Sequence, residues 1–233
     1  MIICSILFII NNVSDIEAYK ILTDEIFGKI NQEKSQELEA GQQMMCILNR
    51  NIKEDGIMSD VLKAMEKRFS TRGYTEEKLT KDQLDSLIRA GLQAPTAANR
   101  QEIHITVVNG DHPILAEIEA EKNLERGIQN LPHNFYFEAP VVLFLSADRT
   151  FSWGKVDAGI AVENIALAAE GLGLGSLIIG CIKGALAGEK RDYFADALRL
   201  PEGYDFEIAI AVGHKAAVKE PHEYSVEKNV TIL

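Results

Sequence analysis

Arg68-Phe69-Ser70-Thr71-Arg72 places two guanidinium groups and a serine hydroxyl within five residues. Guanidinium forks and hydroxyls donate well to phosphate oxygens, so this segment is a candidate anion site. The same spacing would also suit an ordinary basic surface patch. A second polar cluster follows at Pro95-Thr96-Ala97-Ala98-Asn99-Arg100-Gln101. Loop amides and an asparagine side chain offer the paired donors and acceptors that a heterocycle edge needs. Taken alone, it reads equally well as a turn. Gly171, Gly173 and Gly175 form the run GLGLGS, which invites a dinucleotide reading. A phosphate-binding glycine loop needs the order strand, turn, helix, so that phosphate meets a helix N-terminus. Here a helix pattern comes first and a strand follows, so Gly171 and Gly173 read as helix-ending and turn residues.

Other reactive side chains are less suggestive. His104 falls within a strand pattern and is expected to be packed. His112, His133, His214 and His222 show no metal-ligand spacing, and no metal is expected. Cys4, Cys46 and Cys181 are scattered and form neither a CxxC pair nor a disulfide framework, which suits a reduced, cytoplasmic compartment. Cys181 is read as a buried small residue, and Trp153, the single tryptophan, as a packing residue. No catalytic side chain is assigned.

The elements that must position these residues occupy a chain of 233 residues, long enough for one large domain or a domain with an extension. Apolar residues make up 46%, which excludes wholesale disorder. A net charge of -11 argues against nucleic-acid or anionic-membrane footprints, since both need a basic face. The opening run MIICSILFII falls well short of the about 20 residues that span a bilayer. It also has no basic residue ahead of it and no cleavage pattern after it, so no membrane role is expected.

Composition changes near residue 57, and all six prolines lie beyond it. Residues 1–57 are expected to be an extension outside the functional domain, which spans 58–233. Within the extension, Ser14-Asp15-Ile16-Glu17 reads as a capping box ahead of Ile16, Tyr19, Leu22, Ile26 and Ile30 at near-helical spacing. Residues 31–57 read as linker. Met58 is a candidate start of translation: in a bacterial gene, Lys53-Glu54-Asp55 can be encoded with a ribosome-binding sequence, leaving Gly56 and Ile57 as spacer.

From Met58 on, the patterning is dense. Val61, Leu62, Met65 and Phe69 suggest a short helix. Thr80 caps another, with Leu84, Leu87, Ile88 and Leu92 on one face. Ile103 to Val108 alternates as a strand, and His112-Pro113 opens a helix reaching about Lys122. VVLFLSA is a continuous apolar run of the kind found in buried central strands. Asp157 to Glu170 predicts a helix apolar almost all round, and therefore buried. Ser176–Ile179 and Phe206–Val212 predict strands, with a helix over Lys190–Leu198 between them. Mixed helices and strands place the chain in the αβ class with a central sheet.

Three segments together resemble the FMN-dependent nitroreductase family. RFSTRGY (Arg68 to Tyr74) resembles its Arg-x-Ser-x-Arg opening. APTAANRQ (Ala94 to Gln101) resembles its A-P-S/T-x-x-N-x-Q segment. DAGIAVENIALAAEGLGLGS (Asp157 to Ser176) resembles its D-x-G-x-A-x-x-N helix and G-L-G-S turn. The resemblance covers about residues 58–222.

It implies an α+β fold, a three-layer αβα sandwich with a mixed central sheet flanked by helices, assembled as an intertwined homodimer with two flavins at the interface. It implies an enzyme that uses NADH or NADPH to reduce an electron-poor acceptor, such as a nitroaromatic or quinone, by a ping-pong mechanism on FMN. Specialised branches (ene-reductase, dehalogenase, flavin-destroying enzyme), a non-catalytic flavin-binding protein and a cofactor-free interaction module are the alternatives. By resemblance, Arg68, Phe69 and Ser70 belong to the phosphate segment. Arg72 lies near the ribityl chain and the pyrimidine end of the ring. Pro95, Thr96 and Asn99 line the flavin, that of the partner subunit. The backbone of Ile179 and Gly180 faces N5. Two departures stand out. The Pro-Trp usual after Asn-x-Gln is Glu102-Ile103 here, and the C-terminal basic phosphate ligand has Lys219, with His222 as an alternative, but no arginine.

Overall fold

The computed structural model describes residues 60–127, 131–220, 223 and 225–232. The expected extension, its Ser14 capping box, the Met58 start and His222 lie outside the described residues.

Local chemistry sets the element boundaries. Helix α1 spans Asp60–Lys67 and α2 spans Lys81–Leu92. Thr80 Oγ1 accepts the Gln83 N–H at 3.2 Å, and Gln83 Oε1 accepts the Thr80 N–H at 2.8 Å, closing a capping box at the start of α2. Strand β1 is His104–Asn109. Helix α3 runs from Pro113 to Arg126, one turn longer than expected, and ends where Gly127 turns left-handed at φ 64°. His112 Nδ1 accepts the Ile114 N–H at its start. Then come β2, Val141–Asp148; α4, Gly154–Gly171; and β3, Leu174–Ile179. Two short helices follow, α5 at Lys183–Ala187 and α6 at Arg191–Ala197, then β4 at Tyr204–His214 and α7 at Val226–Asn229. Helix α5 went unforeseen because five residues are too few to show a period.

The strands pair in the order β1-β2-β4-β3, antiparallel throughout. Among the described residues, the parallel component of the expected mixed sheet is confined to one bridge, Ser70 with Ser176. Residues Val141 to Ala147 of β2 are all buried, as their continuous apolar run requires. Side chains alternate across the sheet. Val142 and Phe144 meet Ile118 of α3, Leu186 of α5 and Phe194 of α6 on one face. Leu143 and Leu145 meet Leu87 of α2 and Ile165 of α4 on the other. The result is the expected three-layer αβα sandwich.

Three burial expectations are corrected. Helix α4 buries Ala158, Ala161, Ile165 and Ala169, but Val156 is 48% and Ile160 37% exposed, because the sheet and α2 cover only part of a largely apolar helix. Trp153, just before α4, is 55% exposed rather than packed. Leu92, at the last position of α2, is also exposed, since the helix ends before that face is covered.

Candidate functional site

Residues 68–75 form a strap across the β3–β4 end of the sheet. Arg68 leaves α1 with its N–H on the Ala64 carbonyl at 2.9 Å. The Thr71 N–H donates to the Ser176 carbonyl at 2.9 Å, laying the strap along the free edge of β3. The Thr75 N–H then donates to His214 and the Ala216 N–H to Gly73, fixing the strap to the end of β4. The Tyr74 hydroxyl lies 3.2 Å from the Thr71 carbonyl and 3.3 Å from that of Ala211. Burial pushes its phenol pKa up against the opposing pull of Arg72, so it stays protonated as a donor. Gly175 permits this approach: a Cβ there would lie 2.6 Å from Thr71 Oγ1 and 2.8 Å from Lys215 Cγ. Thr71 Oγ1 is itself buried without a hydrogen-bond partner.

The strap presents the expected cations in different states. Arg68 is half-buried, with Nε 3.5 Å from Glu163 Oε1 on α4. Arg72 is exposed, and its guanidinium carbon lies 6.0 Å from the Phe137 ring centroid. Among the described residues it has no carboxylate partner. Phe69 is half-buried beneath the Lys215 ammonium, which stands 5.6 Å from its ring. Lys215 was missed by sequence reasoning, which sought a basic residue further along. Its neighbours in sequence give no sign that the end of β4 returns beside the strap. Lys219 is exposed beyond β4.

The second cluster is a strained loop. Ala97–Asn99 makes a single tight turn after α2. Ala98, Asn99 and Gln101 hold φ of 54°, 52° and 53°, a region that non-glycine residues occupy at a cost of order 1 kcal/mol each. Thr96 Oγ1 accepts the Gln101 N–H at 2.9 Å, and Asp157 Oδ2, in the first turn of α4, accepts the Ala97 N–H at 3.0 Å. Arg100 stacks 4.2 Å from the Phe151 ring centroid and reaches Asp148 at 3.4 Å. Pro95 and Asn99 are exposed and Thr96 is half-buried.

At the far end of β3, Ile179 buries its side chain in the core while Gly180 is exposed, with nothing within 4 Å of where a Cβ would stand. The backbone here therefore borders open space. Cys181 is exposed, contrary to its reading as a buried residue, because it follows the strand into the turn before α5.

Helix α4 spaces these parts. Asp157 meets the loop, Glu163 meets Arg68, and Glu170 in the last turn meets Lys215. At 1.5 Å per residue, Asp157 and Glu170 are about 20 Å apart. The loop and Lys215 thus engage opposite ends of one helix, with Arg68 of the strap between them. Chemically, the strap offers two guanidiniums, Arg68 beside Glu163 and Arg72 with no carboxylate partner among the described residues, and the loop offers a strained polar turn. Among the described residues, no group of three His, Cys, Asp or Glu side chains is placed to hold a metal, and no helix is long and apolar enough to cross a membrane.

Comparison with known proteins follows this geometry. A sequence model described as the Nitroreductase family matches residues 65–214. An "FMN reductase (NAD(P)H)" of Bacillus subtilis (strain 168) is 29% identical over 189 residues, covering 70% of each chain. A crystal structure of a nitroreductase with bound FMN from Desulfitobacterium hafniense DCB-2 superposes with a TM-score of 0.68 at 28% identity, covering 76% of this chain and 100% of that one. Another, from Bacteroides fragilis NCTC 9343, shares the fold with a TM-score of 0.68 at 23% identity, covering 76% of this chain and 100% of that one.

Proposed function

The chain belongs to the Nitroreductase family, and from that premise we propose that it is an FMN-dependent oxidoreductase. It takes electrons from NADH or NADPH and passes them to an electron-poor small molecule such as a nitroaromatic or quinone. The observation that carries this reading is the strap, which sets Arg68, Ser70 and Arg72 along the free edge of β3, Arg72 having no carboxylate partner among the described residues. The relatives' names, FMN reductase and nitroreductase with bound FMN, support the same chemistry.

The residues present suit FMN. A charge-assisted donor set is what a phosphate requires, and the backbone at Gly180 leaves room for a planar ring. Bound FMN supplies hydride acceptance from the nicotinamide and onward electron transfer to the acceptor. Arg68 and Ser70 hold the phosphate, and Phe69 anchors the strap beneath Lys215. Arg72 stabilises negative charge at the pyrimidine end electrostatically. Pro95, Thr96 and Asn99 form the wall, and the Ile179–Gly180 backbone borders the N5 side. Lys219 is placed by resemblance alone as a further phosphate ligand. No side-chain acid or base is needed for the hydride step.

We propose a homodimer in which the loop of one protomer meets the strap of its partner. An apolar helix face is stable when covered, yet α4 leaves Val156 and Ile160 bare, next to exposed Trp153. Helix α1, packed on α4, adds exposed Val61 and Met65. A second copy would cover this surface and bring loop and strap together. The functional domain on this reading is residues 58–233. Titration of the flavin-free protein with FMN, followed by oxidation of NADH or NADPH with menadione as acceptor, tests the proposal. Tight binding and turnover are expected; failure of both contradicts it.

A further inference from the structure

We propose that Glu102 and Asp157 share one proton and that this carboxyl pair positions the 95–101 loop, making cofactor retention dependent on a single buried hydrogen bond. The inference rests on reading that loop as the flavin wall. Glu102 is 8% exposed and Asp157 2%. Both Glu102 oxygens are sealed from solvent and have no donor among the described residues. Two ionised carboxylates only accept, so they cannot bond to each other; a proton held between them converts acceptor against acceptor into a donor–acceptor pair. An unpaired buried charge is otherwise among the costliest groups a fold can carry. Asp157 is already committed at one oxygen, where Oδ2 takes the Ala97 N–H at 3.0 Å.

The charged groups around the pair are few. Asp157 approaches from α4 and Arg100 from the loop itself, with Asp148 at the end of β2 beyond Arg100. Burial raises the Glu102 pKa above the ordinary carboxylate range, and the Asp157 hydrogen bond and charge add to it; its own backbone amide and Arg100 oppose. Arg100 offsets little, because it is exposed, stacked on Phe151 and turned to Asp148. Where the resembled family has proline, this chain has Glu102, so the pair belongs to this sequence rather than to the shared pattern.

The direction follows. A carboxyl whose folded pKa is raised holds its full contribution below the ordinary glutamate value and loses it as pH rises through the folded value. Ionisation then sets two negative charges in one dry site. The strained turn at Ala98, Asn99 and Gln101 keeps the Ala97–Asp157 bond but loses the Glu102–Asp157 one, and the flavin wall loosens.

The test measures FMN affinity by fluorescence quenching between about pH 5 and about pH 9, each variant against wild type at the same pH so that the titration of the FMN phosphate near about pH 6 cancels, with a readout on flavin-free protein beside it. Relative to Glu102→Gln, whose amide donates to Asp157 permanently, wild type is expected to weaken by about tenfold or more across that range, since one unit of linked pKa shift is a factor of ten. Glu102→Ala lacks both charge and donor and is expected to stay about tenfold weaker than Glu102→Gln at every pH. In the infrared spectrum of flavin-free protein, a protonated-carboxyl stretch that fades as pH rises through the raised Glu102 value is expected in wild type and absent in Glu102→Gln. A ratio of wild-type to Glu102→Gln affinity that does not change with pH, or no such band in wild type at about pH 5, would overturn the proposal. If neither wild type nor variant binds FMN at any pH, the flavin reading fails instead, and the infrared band still decides whether the proton is shared.

Discussion

Lys215 Nζ lies 2.8 and 2.7 Å from the two carboxylate oxygens of Glu170, with both side chains largely buried. One ammonium thus joins the end of β4 to the last turn of α4 while covering the Phe69 ring. A carboxylate at a helix C-terminus faces the negative end of the helix dipole, so Glu170 depends on this cation. Lys215→Met should lower stability by about 3 kcal/mol, because an unpaired charge remains. The double variant Lys215→Met with Glu170→Met should recover most of the loss. Thermal unfolding of the single and double variants checks both.

Arg68→Ala should weaken FMN binding. A charge-assisted hydrogen bond is worth about 1.5–3 kcal/mol, or about 10- to 150-fold in affinity. Equilibrium titration by flavin fluorescence reads this directly. The contact with Glu163 is long and partly exposed, so stability should change by well under about 1 kcal/mol.

Arg72→Ala should behave differently. It retains more flavin than Arg68→Ala but shifts the flavin reduction potential negative, since negative charge on the reduced ring loses its cation. Spectroelectrochemical titration of the two variants separates the roles. Equal affinity and unchanged potential in both would misplace the site.

Ile160→Glu puts a carboxylate in the middle of the bare stripe on α4. It should leave the chain folded, since Ile160 is 37% exposed. It should also abolish dimerisation and with it most flavin retention. Light scattering coupled to gel filtration, with a visible spectrum of each peak, measures mass and flavin together.

The sheet and its two helical layers were legible because their signals are local and periodic: the VVLFLSA run, the Thr80 cap, the alternation before Asn109. The site was half legible. Arg68, Ser70 and Arg72 stood out by type and spacing, but Lys215 did not, because its role arises where β4 ends beside a strap about 140 residues earlier in sequence. Glu102 was visible as a departure from a pattern, yet its burial against Asp157 depends on a loop whose positive φ values no residue there announces. Cys181 and Trp153 were misread for a related reason. Residue type suggests burial, and only the position of a turn or a helix start decides it.

The central claim is that the strap and loop hold FMN between two copies of this chain. The most direct measurement is the flavin content of full-length protein saturated with FMN, gel-filtered, and then mixed anaerobically with NADH or NADPH. The account predicts a yellow dimer that keeps about one FMN per chain and loses its flavin absorbance on reduction. A colourless protein, or a yellow one that elutes with monomer mass, would contradict it.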